Sequence, residues 1–83
     1  MKQEQTLVCV AAIGSMTLCL KAERILLASG IRAHVISLSP GETRRGCAFG
    51  VAFSCADRNN AASLLRSQKF PVSEYLVKEN GFL

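Results

Sequence analysis

The stretch AFGVAFSC (48–55) decides the fold, because its large and small side chains alternate along the chain. The bulky residues share one face of an extended chain: Phe49, Val51, Phe53 and Cys55. The small residues share the other: Ala48, Gly50, Ala52 and Ser54. Alternation with a period of two predicts a β-strand. This strand presents its bulky face to a core and a small-residue face to the other side.

Elements predicted on either side of this strand complete a simple pattern. Apolar runs rich in β-branched residues predict strands at 6–13 and 31–38, and a last strand is predicted at 72–77, after Pro71. Apolar residues at helical spacing predict helices at 15–30 and 57–68. The resulting order is β-α-β-β-α-β.

This order in a chain of 83 residues predicts a single domain over residues 1–83, with a core of about 6–77. The fold class is α+β, a ferredoxin-like sandwich in which two helices cover one face of a four-stranded antiparallel sheet. Ser15 or Thr17 is expected to cap the first helix, Gly30 to close it, and Asp57 to cap the second.

Composition narrows the functional classes. Ten basic and six acidic residues give a net charge of +4, but the basic residues are dispersed, which is a weak pointer to nucleic acid or membrane. The apolar run 7–20 lacks the positive flank of a signal peptide, because Glu4 offsets Lys2, and it is too short to span a membrane. We therefore expect a cytoplasmic protein with reduced thiols and no membrane association.

Three of the four cysteines lie in apolar runs, namely Cys9, Cys19 and Cys55. A free cysteine in such a run behaves as a small hydrophobic residue, so we expect core packing for these three rather than disulfides. No CxxC pair is present and His34 is the single histidine, so neither a metal site nor a bound cofactor is expected.

Cys47 has a different setting, because Arg44, Arg45 and Gly46 precede it directly. Neighbouring guanidinium groups favour a thiolate, the form that attacks and carries other atoms. We therefore predict Cys47 as the reactive thiol and the three residues before it as its binding surroundings.

The predicted fold places the start of the third strand beside the end of the first. Cys47 has the same parity along the chain as Phe49, Val51 and Phe53, which predicts that it lies on their face. If that bulky face packs on the helices, Cys47 points toward the amino end of the first helix, where Ser15 and Thr17 lie. Unpaired N–H groups and the helix dipole stabilise an anion there. Cys19, in the first turn of that helix, is a candidate resolving thiol.

Two stretches resemble a small bacterial family described as putative selenium/sulfur carrier protein-like, whose function is otherwise unknown. They are TLCLKAERILLASGI (17–31) and VISLSPGETRRGCAFGV (35–51). The first is similar to the family's helix with Lys-Ala-Glu followed by Gly-Ile. The second is similar to its proline-containing loop that ends in a cysteine and small residues. With the spacing of the second helix, the resemblance covers about residues 6–77.

The resemblance implies that Cys47 is the carrier thiol, holding a persulfide or selenosulfide and exchanging it with donor and acceptor proteins. It also implies a link to selenium or sulfur metabolism. The chain departs from the family at Ala48, where glycine is usual, and at Cys19, where a small residue without a thiol is usual.

Two other interpretations remain open. A protein-interaction or regulatory domain would use the open sheet face of Ala48, Gly50, Ala52 and Ser54, which could also pair with a second copy. An RNA-binding module is suggested by Arg45-Gly46-Cys47-Ala48-Phe49, although stacking aromatics are missing and nucleic acid is not expected. An independent enzyme is not expected, since no phosphate loop, carboxylate pair or histidine near Cys47 is present.

Overall fold

A computed structural model describes residues 7–79 and contains the predicted elements in the predicted order. They are β1 (Leu7–Ala12), α1 (Met16–Ala28), β2 (Ala33–Ser37), β3 (Phe49–Ser54), α2 (Arg58–Ser67) and β4 (Glu74–Glu79). Short 3-10 turns at Pro40–Glu42 and Cys55–Asp57 precede β3 and α2. Each observed boundary lies within two residues of the predicted one.

The four strands form one antiparallel sheet in the order β2-β3-β1-β4. Cys9 lies opposite Phe53 in β3 and opposite Val77 in β4. The two central strands are therefore β1 and β3, and β2 and β4 are the edges. This arrangement confirms the predicted ferredoxin-like α+β fold.

One face of the sheet, here called the helix face, packs on both helices. Phe53 and Val51 are fully buried there against Ala22 and Leu26 of α1 and Leu65 of α2. Phe49 packs against the same cluster. The bulky face of AFGVAFSC is thus inside, which removes Phe49 from any open surface that could stack bases.

Two of the four helix ends, both belonging to α1, follow their local sequence. Ser15 caps α1, because its Oγ accepts a hydrogen bond from the N–H of Leu18. Gly30, with φ of 85°, closes α1, and the N–H of Ile31 then reaches the carbonyl of Leu26. Asp57 occupies the N-cap position of α2, but its side chain makes no capping hydrogen bond there.

The carboxyl end of α2 is unusual because a lysine adopts the left-handed backbone conformation that closes the helix. Lys69 has φ of 61°, and the N–H of Phe70 bonds the carbonyl of Leu65. The hydrogen-bond pattern matches that at Gly30, although a side chain here bears the steric cost that glycine avoids.

The other face of the sheet, here called the covered face, is overlain by the loop that joins β2 to β3. Glu42 of this loop forms a salt bridge of 2.7 Å with Lys78, and the N–H of Arg44 donates to Glu74 Oε2 at 2.8 Å. Lys78 and Glu74 belong to β4, at the sheet edge opposite β2. The loop therefore crosses the width of the sheet.

Burial on the covered face corrects the expected open surface. Val10 and Ala12 are fully buried, and Ala52 is 2% exposed. A Cβ on Gly50 would lie 2.8 Å from Val10 Cγ1 and 3.2 Å from Leu38 Cδ1. Gly50 and Ala52, predicted to be available to a second copy, are instead covered by the chain's own loop.

The expectation that Cys9 and Cys55 are free core thiols is wrong, because the structure joins them in a disulfide with a Cα–Cα distance of 5.0 Å. Cys9 pairs with Phe53 across the sheet, and Cys55 lies two residues beyond Phe53 on the same face. Diagonal neighbours of this kind are close enough for contact. The strand also ends at Ser54, and the turn at Cys55–Asp57 starts at this cysteine.

Neither helix in the part of the chain that the structure describes has the length and apolar character needed to cross a membrane.

Candidate thiol site

Cys47 is held at the end of the covering loop by its own backbone. Gly46 turns the chain with φ of 68°, a left-handed conformation that glycine adopts without steric cost. The N–H of Cys47 then donates to Thr43 Oγ1 at 2.7 Å. Thr43 is 7% exposed, so this bond is shielded from water. The thiol is free and half-buried rather than freely mobile on the surface.

The Cys47 sulfur lies 3.2 Å from the hydroxyl oxygen of Ser73, just before β4. That hydroxyl also donates to the carbonyl of Ala12 at 3.2 Å. With its hydrogen committed to Ala12, Ser73 accepts from the neutral thiol. If Cys47 ionises, the hydroxyl can turn and donate to the sulfur, so one side chain serves both protonation states.

Gly14 completes the immediate surroundings of Cys47. An added Cβ at this glycine would lie 3.8 Å from Cys47 Sγ. Gly14 has φ of 98° and connects β1 to α1. The sulfur is thus beside the segment leading into α1, as the sequence predicted.

The predicted face of Cys47 is wrong, however. Cys47 packs with the cluster on the covered face that contains Val10, Ala12 and Leu38, not with Phe49 and the helices. The parity argument assumed extended backbone through residue 47. The strand begins only at Phe49, and the turn at Gly46 changes the direction of the chain before it.

Cys19 is the second free thiol, and it is fully buried in the first turns of α1. Burial raises the pKa of Cys19, the Gly14 backbone acts to lower it, and the charge of Cys47 raises it further. The two thiols are therefore within electrostatic reach of one another. They belong to clusters on opposite faces of the sheet, with Gly14 between them.

The remaining predicted site residues, apart from Gly46, are exposed side chains of the covering loop and of the start of α1. Arg44 and Arg45 are exposed, and the hydrogen bond that the structure gives Arg44 comes from its backbone N–H. Ser15 accepts the capping bond of α1, and Thr17 is exposed in the first turn of that helix. The structure thus brings Gly46 and Cys47 together with the α1 end, but leaves both guanidinium groups in solvent.

Sequence reasoning missed Ser73. In an antiparallel sheet with β1 central, the end of β1 meets the starts of both neighbours, β3 and β4. For β3, this rule places Cys47 near Gly14. Applied to β4, it would also have placed Ser73 at this corner, because Ser73 directly precedes that strand.

Within residues 7–79, no three histidine, cysteine or acidic side chains are grouped in a way that could hold a metal ion. The chemistry that these residues can support is that of a thiol and its hydroxyl partner.

The sequence pattern of the family described as putative Se/S carrier protein-like matches residues 8–77. The chain belongs to this family. The match extends from β1 into β4 and includes every predicted site residue. No curated protein and no solved structure matches the sequence at a significant level.

Proposed function

We propose that this protein carries a sulfur or selenium atom as a persulfide or selenosulfide on Cys47. The observation that supports this most directly is the position of a free, half-buried thiol 3.2 Å from the Ser73 hydroxyl. Membership of the carrier family supports the same function. The protein then acts between a donor protein and an acceptor protein and needs no resident cofactor.

Loading is a transfer between sulfur atoms. The Cys47 thiolate attacks the terminal sulfur of a donor cysteine persulfide, and a new sulfur–sulfur bond forms. The bond between the donor's two sulfurs breaks, and its electron pair leaves with the donor thiolate. A selenium atom bound to a donor cysteine transfers in the same way, so neither case requires an external oxidant.

The surroundings of Cys47 suit a carried anion. Ser73 can donate to it once the hydroxyl turns away from Ala12, and Thr43 fixes the backbone of Cys47. We propose that Arg44 and Arg45, both exposed, add positive charge and meet the donor, and that the left-handed Gly46 lets the loop approach it. Ser15 and Thr17 line the neighbouring end of α1.

Cys19 is the proposed resolving thiol. Its thiolate would attack the inner sulfur of the loaded Cys47, form a Cys19–Cys47 disulfide and expel sulfide or selenide. An external dithiol would then reduce the disulfide. Burial raises the pKa of Cys19 and keeps it protonated at neutral pH, which protects the cargo until the segment around Gly14 moves.

A cytoplasmic location is part of this proposal, because free thiols persist in a reducing compartment. The same reducing conditions would also favour reduction of the Cys9–Cys55 disulfide.

The test is intact-protein mass spectrometry after incubation with a protein persulfide donor. Wild type should gain one sulfur atom that a reductant removes, and Cys47→Ser should gain none. Cys19→Ser is the matched control, since it removes the other free thiol and should still be loaded. A similar adduct on Cys47→Ser would contradict the proposal and favour the interaction-domain interpretation.

A further inference from the structure

A groove runs between α2 and β4 on the helix face, because α2 does not reach over the edge strand. Tyr75 and Val77 point to the helix face, since they pair with Ala11 and Cys9 of β1. They are nevertheless 41% and 57% exposed. Two adjoining cavities of about 430 and 330 Å³ fill this space and share Ala62 and Tyr75.

The charged side chains that line the groove are all positive. Arg66 and Lys69 line the larger cavity and Arg58 the smaller one, and no acidic residue is among the lining residues of either. Arg66 and Tyr75 line the same cavity. Burial raises the pKa of Tyr75, while the positive charge of Arg66 acts in the opposite direction. The groove therefore combines aromatic surface with a row of cations.

The groove is bordered by an unpaired strand edge. In the sheet that residues 7–79 form, β4 pairs with β1 on one side only. An extended peptide can add to such an edge by backbone hydrogen bonds and direct alternate side chains to one face. Arg58 to Arg66 spans roughly 12 Å along α2, which matches about four residues of extended chain, and Lys69 follows just beyond the helix.

One end of the groove lies near the start of β4, next to the thiol site. Val72 and Tyr75 line the groove, and Ser73 between them contacts Cys47 Sγ at 3.2 Å on the other face of the sheet. A partner bound along the edge of β4 would thus have one end next to Ser73, with Cys47 on the far side of the strand.

We infer that the groove between α2 and β4 is the docking site for an acidic, extended segment of the donor or acceptor protein. The segment adds to the free edge of β4 and sets alternate acidic side chains against Arg58, Arg66 and Lys69. The identity of the partner rests on the proposed carrier function, whereas the binding itself does not.

The test uses a fluorescent synthetic peptide of alternating Glu and Val, with an alternating Lys and Val peptide as control. Binding is measured by fluorescence anisotropy to wild type and to Cys47→Ser, which cannot be loaded. The double variant Arg58→Gln, Arg66→Gln should bind the acidic peptide about tenfold more weakly, since each exposed pair contributes a modest amount. The matched control is Arg24→Gln, Arg32→Gln, which removes the same charge from two exposed positions away from the groove. Arg24 lies in α1, and Arg32 directly precedes β2.

Equal weakening in both double variants would overturn the proposal, because net charge alone would explain the binding. Absence of binding to wild type would overturn it as well. Chemical-shift mapping on the wild type gives a result that needs no variant: perturbed amides should follow β4 and α2, and perturbations confined elsewhere would contradict the site. Binding by Cys47→Ser equal to wild type keeps this result separate from the loading experiment.

Discussion

The two ends of strand β1 hold cysteines in contrasting states. Cys9, in its first half, is joined to Cys55 under the helices. At the other end of β1, beyond Ala12, lie the two free cysteines, Cys47 and Cys19. The first pair lies on one face of the sheet, whereas the second pair is divided between the two faces with Gly14 between them.

This difference shows that sheet face, and not burial alone, separates the cysteines that are bonded in this structure from those that are free. Cys9 and Cys19 are equally buried, with no exposed surface. Cys9 meets a cysteine because Cys55 lies diagonally across the same face. Cys19 has Cys47 nearby, but on the other side of the backbone. One end of β1 is therefore cross-linked to its neighbour strand, and the other end carries the two free thiols.

The largest expected effect comes from removing the disulfide. Replacing Cys9 and Cys55 together by Ala should lower the free energy of unfolding by about 2–4 kcal/mol, because the bond closes a long loop in the unfolded chain. Their separation is 46 residues. Urea denaturation measures the change.

Loading of Cys47 in the same double variant should equal that of wild type, as measured by intact mass. The contrast between the two ends would break down if the folded double variant could no longer be loaded. Cys19→Ala, which leaves the disulfide in place, is the control for loss of a buried thiol.

The sequence predicted these two regions to different extents. The element order, the bulky helix face, the Ser15 cap and Gly30 follow from local patterns and are confirmed. The disulfide needed the β1–β3 register, which pairs Cys9 with Phe53, and no local pattern sets that offset. The predicted sheet face of Cys47 was wrong because the turn at Gly46 changes the direction of the chain before β3 begins at Phe49.

The path of the covering loop also could not be predicted. The segment 39–46 has no periodicity, and its course depends on Glu42 meeting Lys78 and on Glu74 accepting from Arg44. Arg44 and Glu74 are 30 positions apart in the chain, and Glu42 and Lys78 are further apart still. Such long-range pairs leave no signal in a single sequence.

A smaller effect is expected at the glycine between the two free thiols. Gly14→Ala should cost about 1–2 kcal/mol, because φ of 98° is strained for any side chain. The new methyl group, 3.8 Å from Cys47 Sγ, should also slow alkylation of that sulfur. Thermal unfolding and the rate of iodoacetamide labelling measure the two effects.

Gly30→Ala is the matched control for Gly14→Ala. Gly30 has a similar φ of 85°, but no atom lies within 4 Å of an added Cβ. It should lose similar stability and leave Cys47 labelling unchanged. Equal slowing in both variants would mean that Gly14 acts through global stability and not through contact with the thiol.

The pH dependence of stability should distinguish Cys19, the buried free thiol, from the bonded pair of cysteines. Burial raises the pKa of Cys19 above its ordinary value of 9.0. Above that value the unfolded state loses a proton that the folded state retains, so stability falls as the pH rises through the folded pKa. The melting temperature of wild type should therefore decline above pH 9.0.

Cys19→Ala should decline less steeply over the same range. Tyr75, whose pKa burial also raises, contributes to the slope in the same direction in both proteins. Identical slopes for wild type and Cys19→Ala would show that the buried thiol does not contribute.

The smallest effect is expected where the covering loop is tied to β4. Lys78 lowers the pKa of Glu42, so the stabilisation from this pair is present above the ordinary value of 4.5 and is lost as the pH falls through the folded value. Both side chains are partly exposed, and such pairs contribute little to stability. Glu42→Gln should therefore leave the melting temperature almost unchanged at neutral pH.

Glu42→Gln should still loosen the loop that carries Cys47 and speed labelling of this thiol, while the Cys9–Cys55 bond at the other end of β1 is reduced at an unchanged rate. Faster reduction of that bond in Glu42→Gln would mean that the two ends are not independent.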